Sequence, residues 1–324
     1  MHTYTLPGTD LRVSRVAYGC MNIGGTWDDT PLSTDVRESA SRAIKAALET
    51  DITLFDHADI YMRGKSEQVF GDVLKASPGL REQIVLQSKC GIRFAGDPQP
   101  SDPQRYDFSY EHIVASVEGS LQRLQTDYLD ILLLHRPDPL VEPEEVARAF
   151  DTLQTAGKVR YFGVSNHTAG QIELLQKSLE QPLLINQVEL SLLHSYLIDE
   201  GVVANVSGVS STLATGTLDY CRNHNILIQA WGPLAGGKLF KPNAEADPAL
   251  SKMAQLVGQL AEAKQTSREA IVLAWLLRHP AGIQPIVGST KPERIATCAL
   301  ADEVALTREE WYSLFTAARG GRVP

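Results

Sequence analysis

The chain has 324 residues, 43% hydrophobic and 21% charged, with 30 basic and 39 acidic side chains. That apolar content suffices for a large core, which excludes a disordered chain and a collagen-like fibre. The net charge of −9 argues against a broad surface for nucleic-acid phosphates, so any anionic ligand must be held by a few local groups. Cys20, Cys90, Cys221 and Cys298 are scattered without a Cys-x-x-Cys pair. No disulfide framework or zinc knuckle is expected, and a reducing cytoplasm fits. The opening residues lack the basic and apolar regions of a signal peptide, and no apolar run approaches the ~18 residues of a membrane span. Neither a nucleic-acid nor a membrane partner is expected, and the oligomeric state is not legible.

The first sixteen residues, with Pro7-Gly8 between two short β-prone runs, predict a hairpin outside the repeat that follows. Eight apolar runs then read as strands: Val13–Gly19, Leu54–His57, Ile84–Lys89, Tyr128–His135, Val159–Val164, Leu184–Glu189, Ile226–Trp231 and Ile283–Val287. Several are apolar almost throughout, as parallel strands covered on both faces are. Helical stretches fall between them, among them Asp35–Glu49, Glu67–Ala76, Tyr110–Leu124, Pro143–Ala156 and Ala169–Leu179. In Tyr110–Leu124, the residues Ile113, Val117, Leu121 and Leu124 share one helical face. Units of roughly 40 residues suit an eight-stranded parallel (β/α)8 barrel, a TIM barrel. No linker divides the chain, so a single domain over residues 1–324 is expected. A doubly wound sheet has the same rhythm and is not excluded by it, but the Gly-x-Gly-x-x-Gly fingerprint is absent. Three connections, 91–108, 192–217 and 232–247, are long, and in a barrel the loops after strands line the catalytic face.

Three successive strands deliver an ionisable group at that face: Asp56, with Tyr61 in the turn beyond, then Lys89, then His135 behind a run of leucines. A tyrosine pKa of about 10 is too high for ready deprotonation near neutrality. An ammonium at ~4 Å would favour the phenolate by up to about 4 kcal/mol, an upper bound. A carboxylate would fix that ammonium while weakening its effect, and an imidazole would orient a substrate oxygen. Together these groups make a proton relay suited to protonating a carbonyl oxygen as hydride reaches carbon.

These residues resemble the aldo-keto reductases, and look most like their bacterial YdhF-like branch. The resemblance runs through Asp56–Tyr61, Ser88–Ile92, His135–Leu140, Gly163–Asn166, Asn186–Glu189, Trp231–Leu234 and Gly288–Arg294. It implies Tyr61 as general acid, Lys89 and Asp56 as its tuning pair, and His135 as the substrate-orienting group. It also implies NADPH. Ser165, Asn166 and Gln187 offer groups for a nicotinamide carboxamide, against the alternative of turn capping and strand-edge bonding. Trp231, where the family often has Tyr, would stack on the nicotinamide ring. The run Gly232-Pro233-Leu234-Ala235-Gly236-Gly237-Lys238-Leu239 nearly spells a nucleotide-hydrolysing loop. However, Leu239 stands where Ser or Thr should meet magnesium, so only a pyrophosphate-binding turn is retained. Gly288, Ser289 and Thr290 fall at the common phosphate site of this barrel, before Pro292 at a helix start. Arg294 is similar to the arginine that clamps a 2′-phosphate in the family. Cys298 stands where many members have Asn.

The reading is therefore an NADPH-dependent reduction of aldehydes or ketones, with a small carbonyl compound as substrate. A cofactor-bound regulatory or sensor subunit is an alternative, and so is a barrel hydrolase using Asp56 and Asp59. Zinc on His57, Asp59 and His135 is set aside, because the relay explains His135 better. Trp27, Met62, Phe94 and Trp231 are candidates for an apolar pocket rim, and Arg136 for an anionic substrate. The stretch 201–215 is either a lid or a surface insertion.

Overall fold

A computed structural model of the chain describes residues 1–203, 215–240 and 248–324. Strands β1 (Thr3–Thr5) and β2 (Arg12–Ser14) form the expected antiparallel hairpin. The barrel is built from β3 (Ala17–Gly19), β4 (Leu54–Asp56), β5 (Val85–Cys90), β8 (Leu129–Leu134), β9 (Val159–Ser165), β10 (Leu183–Glu189), β11 (Leu227–Trp231) and β12 (Gln284–Val287). These eight are parallel throughout and close in chain order, β12 pairing back onto β3. The long 91–108 connection contains a second hairpin, β6 (Ile92–Arg93) with β7 (Arg105–Tyr106).

The first strand differs from expectation. Val13 and Ser14 belong to the hairpin, and only Ala17–Gly19 joins the barrel. The polar pair Ser14-Arg15 makes the break: Ser14 exchanges bonds with Thr53 and turns its hydroxyl onto the Val16 carbonyl at 2.6 Å. The hairpin then turns Leu6, Leu11 and Val13 into a buried cluster with Leu54, Val85, Ile131, Leu184 and Leu227, and so plugs the end of the barrel where the strands begin.

Helices wrap the outside: α1 (Thr34–Glu49), α2 (Lys65–Ala76), α3 (Tyr110–Leu124), α4 (Pro143–Thr155), α5 (Ala169–Gln176), α6 (Tyr196–Val203), α7 (Thr217–Asn223), α8 (Pro248–Ala263), α9 (Arg268–Leu277), α10 (Pro292–Ala299) and α11 (Arg308–Arg319). Ser109 caps α3 by accepting from the His112 N–H, and its apolar face, Ile113, Val117, Leu121 and Leu124, is buried as the periodicity predicts. Pro292 opens α10, where a missing N–H costs nothing. Among the described residues, no helix is long and apolar enough to cross a membrane. Burial on both faces explains the apolar strands, and Asp130 in β8 shows what an exception requires. Its carboxylate is met by Arg81 and Arg160, each at 2.9 Å.

Candidate active site

Asp56 ends β4 and Lys89 lies near the end of β5, the neighbouring strand. The Lys89 ammonium donates to the Asp56 carboxylate at 2.8 Å, to the His57 carbonyl at 2.8 Å and to the Tyr61 hydroxyl at 2.9 Å. Three donors meet three acceptors, so the group has no rotational freedom left. His135 follows β8 and presents its ring edge-on to Tyr61, with centroids 5.8 Å apart and planes at 80°. The four residues named from sequence converge on one point.

Burial sets their charges. It pushes the Tyr61 phenol above its ordinary pKa; Lys89 pulls the other way and Asp56 adds to the rise. The expected lowering of Tyr61 is thus reversed, because desolvation of the phenolate outweighs the ammonium. A phenol that keeps its proton through the neutral range is the form an acid catalyst needs. Burial opposes the Lys89 charge, but Asp56 and Tyr61 more than offset it, and the ammonium is retained. Burial, then Lys89 and Arg136, hold His135 well below the usual imidazole range, so its ring is neutral. It can exchange a hydrogen bond with a substrate oxygen without carrying charge.

The residues alternating with the relay face outward. His57 packs edge-on against Phe70 at 4.6 Å, and neither ring nitrogen has a partner among the described residues. Burial draws it down to about 3. A folded value below the ordinary 6.5 means that stability is full above pH 6.5 and is lost as pH falls toward 3. His57→Phe is expected to remove about 2 kcal/mol of the acid loss at pH 5. Urea unfolding at pH 7.5 and 5 checks this, and an equal acid loss in both proteins would refute it.

Asp59 also lies away from the relay. Burial pushes its carboxyl up to about 8, Glu67 adds to the rise, and Arg123 and Ser116 oppose it. Asp56 and Asp59 are therefore not brought together as the paired carboxylates of a hydrolase. Among the described residues, no group of three His, Cys, Asp or Glu could hold a metal ion.

Next to the relay, the Asn166 side-chain amide donates to the His135 carbonyl at 3.2 Å and to the Ser165 hydroxyl at 2.8 Å. Its oxygen accepts the Trp231 indole N–H at 3.0 Å, and the Ser165 hydroxyl donates to the Gln187 carbonyl at 2.8 Å. Trp231 is thereby fixed in orientation, with the Arg136 guanidinium 5.6 Å from the ring centroid. A cleft of about 290 Å³ opens here, lined by Arg136, Asn166, Thr168, Glu189, Tyr196 and Trp231. The Gln187 amide nitrogen spends both hydrogens inside the barrel, on Asp56 at 3.0 Å and Gln229 at 3.1 Å, so its oxygen is the group it could offer a carboxamide.

After β11 the chain turns through Gly232, Gly236 and Gly237, all at positive φ, with Leu234 half-buried between them. A Cβ at Gly232 or Gly236 would meet nothing within 4 Å, which leaves an open backbone surface. Gly288, Ser289 and Thr290 follow β12, and Arg294 stands exposed in the first turns of α10 without an ion-pair partner among the described residues. These two loops lie at the same end of the barrel as the relay, past neighbouring strand ends.

The Aldo/keto reductase family model matches residues 15–317. The chain belongs to the aldo-keto reductase family. It is 41% identical over 318 residues to the uncharacterized oxidoreductase YcsN of Bacillus subtilis, covering 97% of each chain. Identity to the oxidoreductase YdhF of Escherichia coli is 40% over 281 residues, 87% of this chain and 88% of that one. The structure superposes on the glycerol dehydrogenase of Gluconobacter oxydans with a TM-score of 0.78 at 26% identity, covering 97% of this chain and 94% of the other.

As an aldo-keto reductase it is an oxidoreductase, and members of its family generally use NAD(P)H. Its rim is less apolar than expected. Trp27 is 46% exposed, but Met62 is only 4% exposed and does not stand on a rim. Phe94 is half-buried beneath the Arg63 guanidinium, 4.9 Å from its centroid. Most of the 201–215 stretch, namely 204–214, and residues 241–247 of the loop after β11 fall outside the described residues.

Sequence reading passes over Gln87, Gln229 and Gln284, which are fully buried inside the barrel, Gln87 in contact with Asp56. The signal was present: a glutamine interrupts each of the runs Val85-Leu86-Gln87, Leu227-Ile228-Gln229 and Ile283-Gln284-Pro285. A polar side chain inside an apolar parallel strand needs a partner.

Proposed function

We propose that this aldo-keto reductase reduces aldehydes or ketones to alcohols with NADPH, Tyr61 giving the proton. The observation that carries the reading is the buried Lys89–Tyr61 bond of 2.9 Å beside a neutral His135. The residues around the site fit a nicotinamide dinucleotide. Trp231 offers a fixed aromatic face, the Gly232–Gly237 turn an open backbone for a pyrophosphate, and Arg294 a cation without an ion-pair partner among the described residues for a 2′-phosphate. When bound, the cofactor supplies hydride to the carbonyl carbon. Tyr61 hands its phenolic proton to the carbonyl oxygen, and Lys89 stabilises the phenolate left behind. His135 donates a hydrogen bond to the same oxygen, orienting it before the proton moves.

Nicotinamide absorbance followed over a panel of aldehydes, ketones and dicarbonyls tests this directly. Absence of turnover with both NADPH and NADH would overturn it. Arg294→Met is expected to raise the Kd for NADPH about 10- to 100-fold while leaving NADH nearly unchanged. Equal effects on the two would remove Arg294 from the 2′-phosphate.

A further inference from the structure

The glutamines inside the barrel form a chain that runs one way. Gln284 donates to the Ser14 carbonyl at 2.7 Å, and Gln229 donates to the Gln284 oxygen at 2.9 Å. The Gln229 oxygen accepts from Gln87 at 2.9 Å and from Gln187 at 3.1 Å, and both of those amides also donate to Asp56, at 2.6 and 3.0 Å. A backbone carbonyl and a carboxylate can only accept, so the two ends dictate every orientation between them. Turning any one amide around would set oxygen against oxygen. The arrangement even leaves the Gln87 oxygen buried without a partner among the described residues.

We infer that Gln87, Gln229 and Gln284 are positioning residues, a directional amide chain whose Gln229 oxygen takes the second hydrogens of Gln87 and Gln187 and so keeps their first hydrogens on Asp56, drawing its negative charge away from Lys89. The inference rests on the reductase reading for its purpose, not for its test. Two N–H groups share one Asp56 oxygen, so less of the carboxylate charge bears on the ammonium. Lys89 is then freer to stabilise a phenolate at Tyr61. The titratable groups facing Tyr61 are Lys89 on β5, Asp56 on β4, Cys20 after β3 and His135 after β8. Of these, only Asp56 is touched by the chain. Cutting the chain at Gln229 releases the Gln87 and Gln187 amides to swing off Asp56, which leaves that carboxylate more strongly negative toward both neighbours and disfavours the phenolate.

The test uses Gln229→Leu and Gln229→Glu in the full-length protein. Tyr61 ionisation is read by NMR of ring-labelled tyrosine, assigned against Tyr61→Phe in each background. Gln229→Leu is expected to move the Tyr61 midpoint to higher pH and lower kcat roughly tenfold with KM little changed. In Gln229→Glu, the protonated carboxyl can still accept from Gln87 and Gln187 and donate to Gln284. That variant is expected to match the parent in mildly acidic buffer and to lose activity more steeply as the new carboxyl ionises. It decides the matter if the leucine variant fails to fold. An unshifted Tyr61 midpoint in the folded variants, with no added pH dependence for Gln229→Glu, would overturn the inference. The NMR readout needs neither cofactor nor substrate. Failure of the parent to reduce any carbonyl compound would sink the reductase reading and leave this test intact.

Discussion

Tyr61→Phe should lower kcat by about 10²- to 10⁴-fold, the span usual for losing a positioned general acid. The ring, its edge contact with His135 and the Lys89–Asp56 pair all survive the change, so cofactor affinity should hold. What disappears is the one proton that burial keeps on the phenol through the neutral range. Single-turnover rates together with equilibrium cofactor binding separate the two effects. Turnover near the parental rate would show that the proton comes from elsewhere.

Lys89→Met should harm both activity and stability. The ammonium is the shared partner of Asp56, the His57 carbonyl and Tyr61. Without it, Asp56 is a buried carboxylate lacking its cation, a loss worth about 3–5 kcal/mol when one partner of such a pair is removed. Loss of the positive charge beside Tyr61 should also cost roughly 10²-fold or more in kcat. Urea unfolding across pH, alongside kcat, checks both parts. An unchanged unfolding midpoint would mean that the pair is not the anchor its geometry indicates.

The barrel was legible because its signals repeat. Eight apolar runs spaced by helical stretches survive errors at any one boundary, and the one misplaced strand, Val13–Gly19, failed locally. There β-propensity runs on through Ser14, and only Ser14's bonds with Thr53 and the Val16 carbonyl show the chain changing partners. The convergence of Asp56, Tyr61, Lys89 and His135 was legible for another reason: strand ends have a known destination in this architecture. The direction of the Tyr61 shift was not, since a charge estimate drawn from spacing omits desolvation, and here desolvation wins. Met62 was misjudged because sequence names a residue without saying which way it points. The interior glutamines were in plain view, but partners from β4, β5, β10, β11 and β12 meet only when the barrel closes.

The β1–β2 hairpin has a practical consequence. By covering one end with Leu6, Leu11 and Val13, it leaves the opposite end, where the strands finish beside Asp56, Tyr61, Lys89 and His135, as the doorway to the site. Under the proposed reaction, reactant and product would share that doorway. The outer face of the plug, with exposed Asp10 and Arg12, lies as far from that doorway as the barrel allows. A tether or immobilising linkage placed there would hold the protein with its entrance facing the solution.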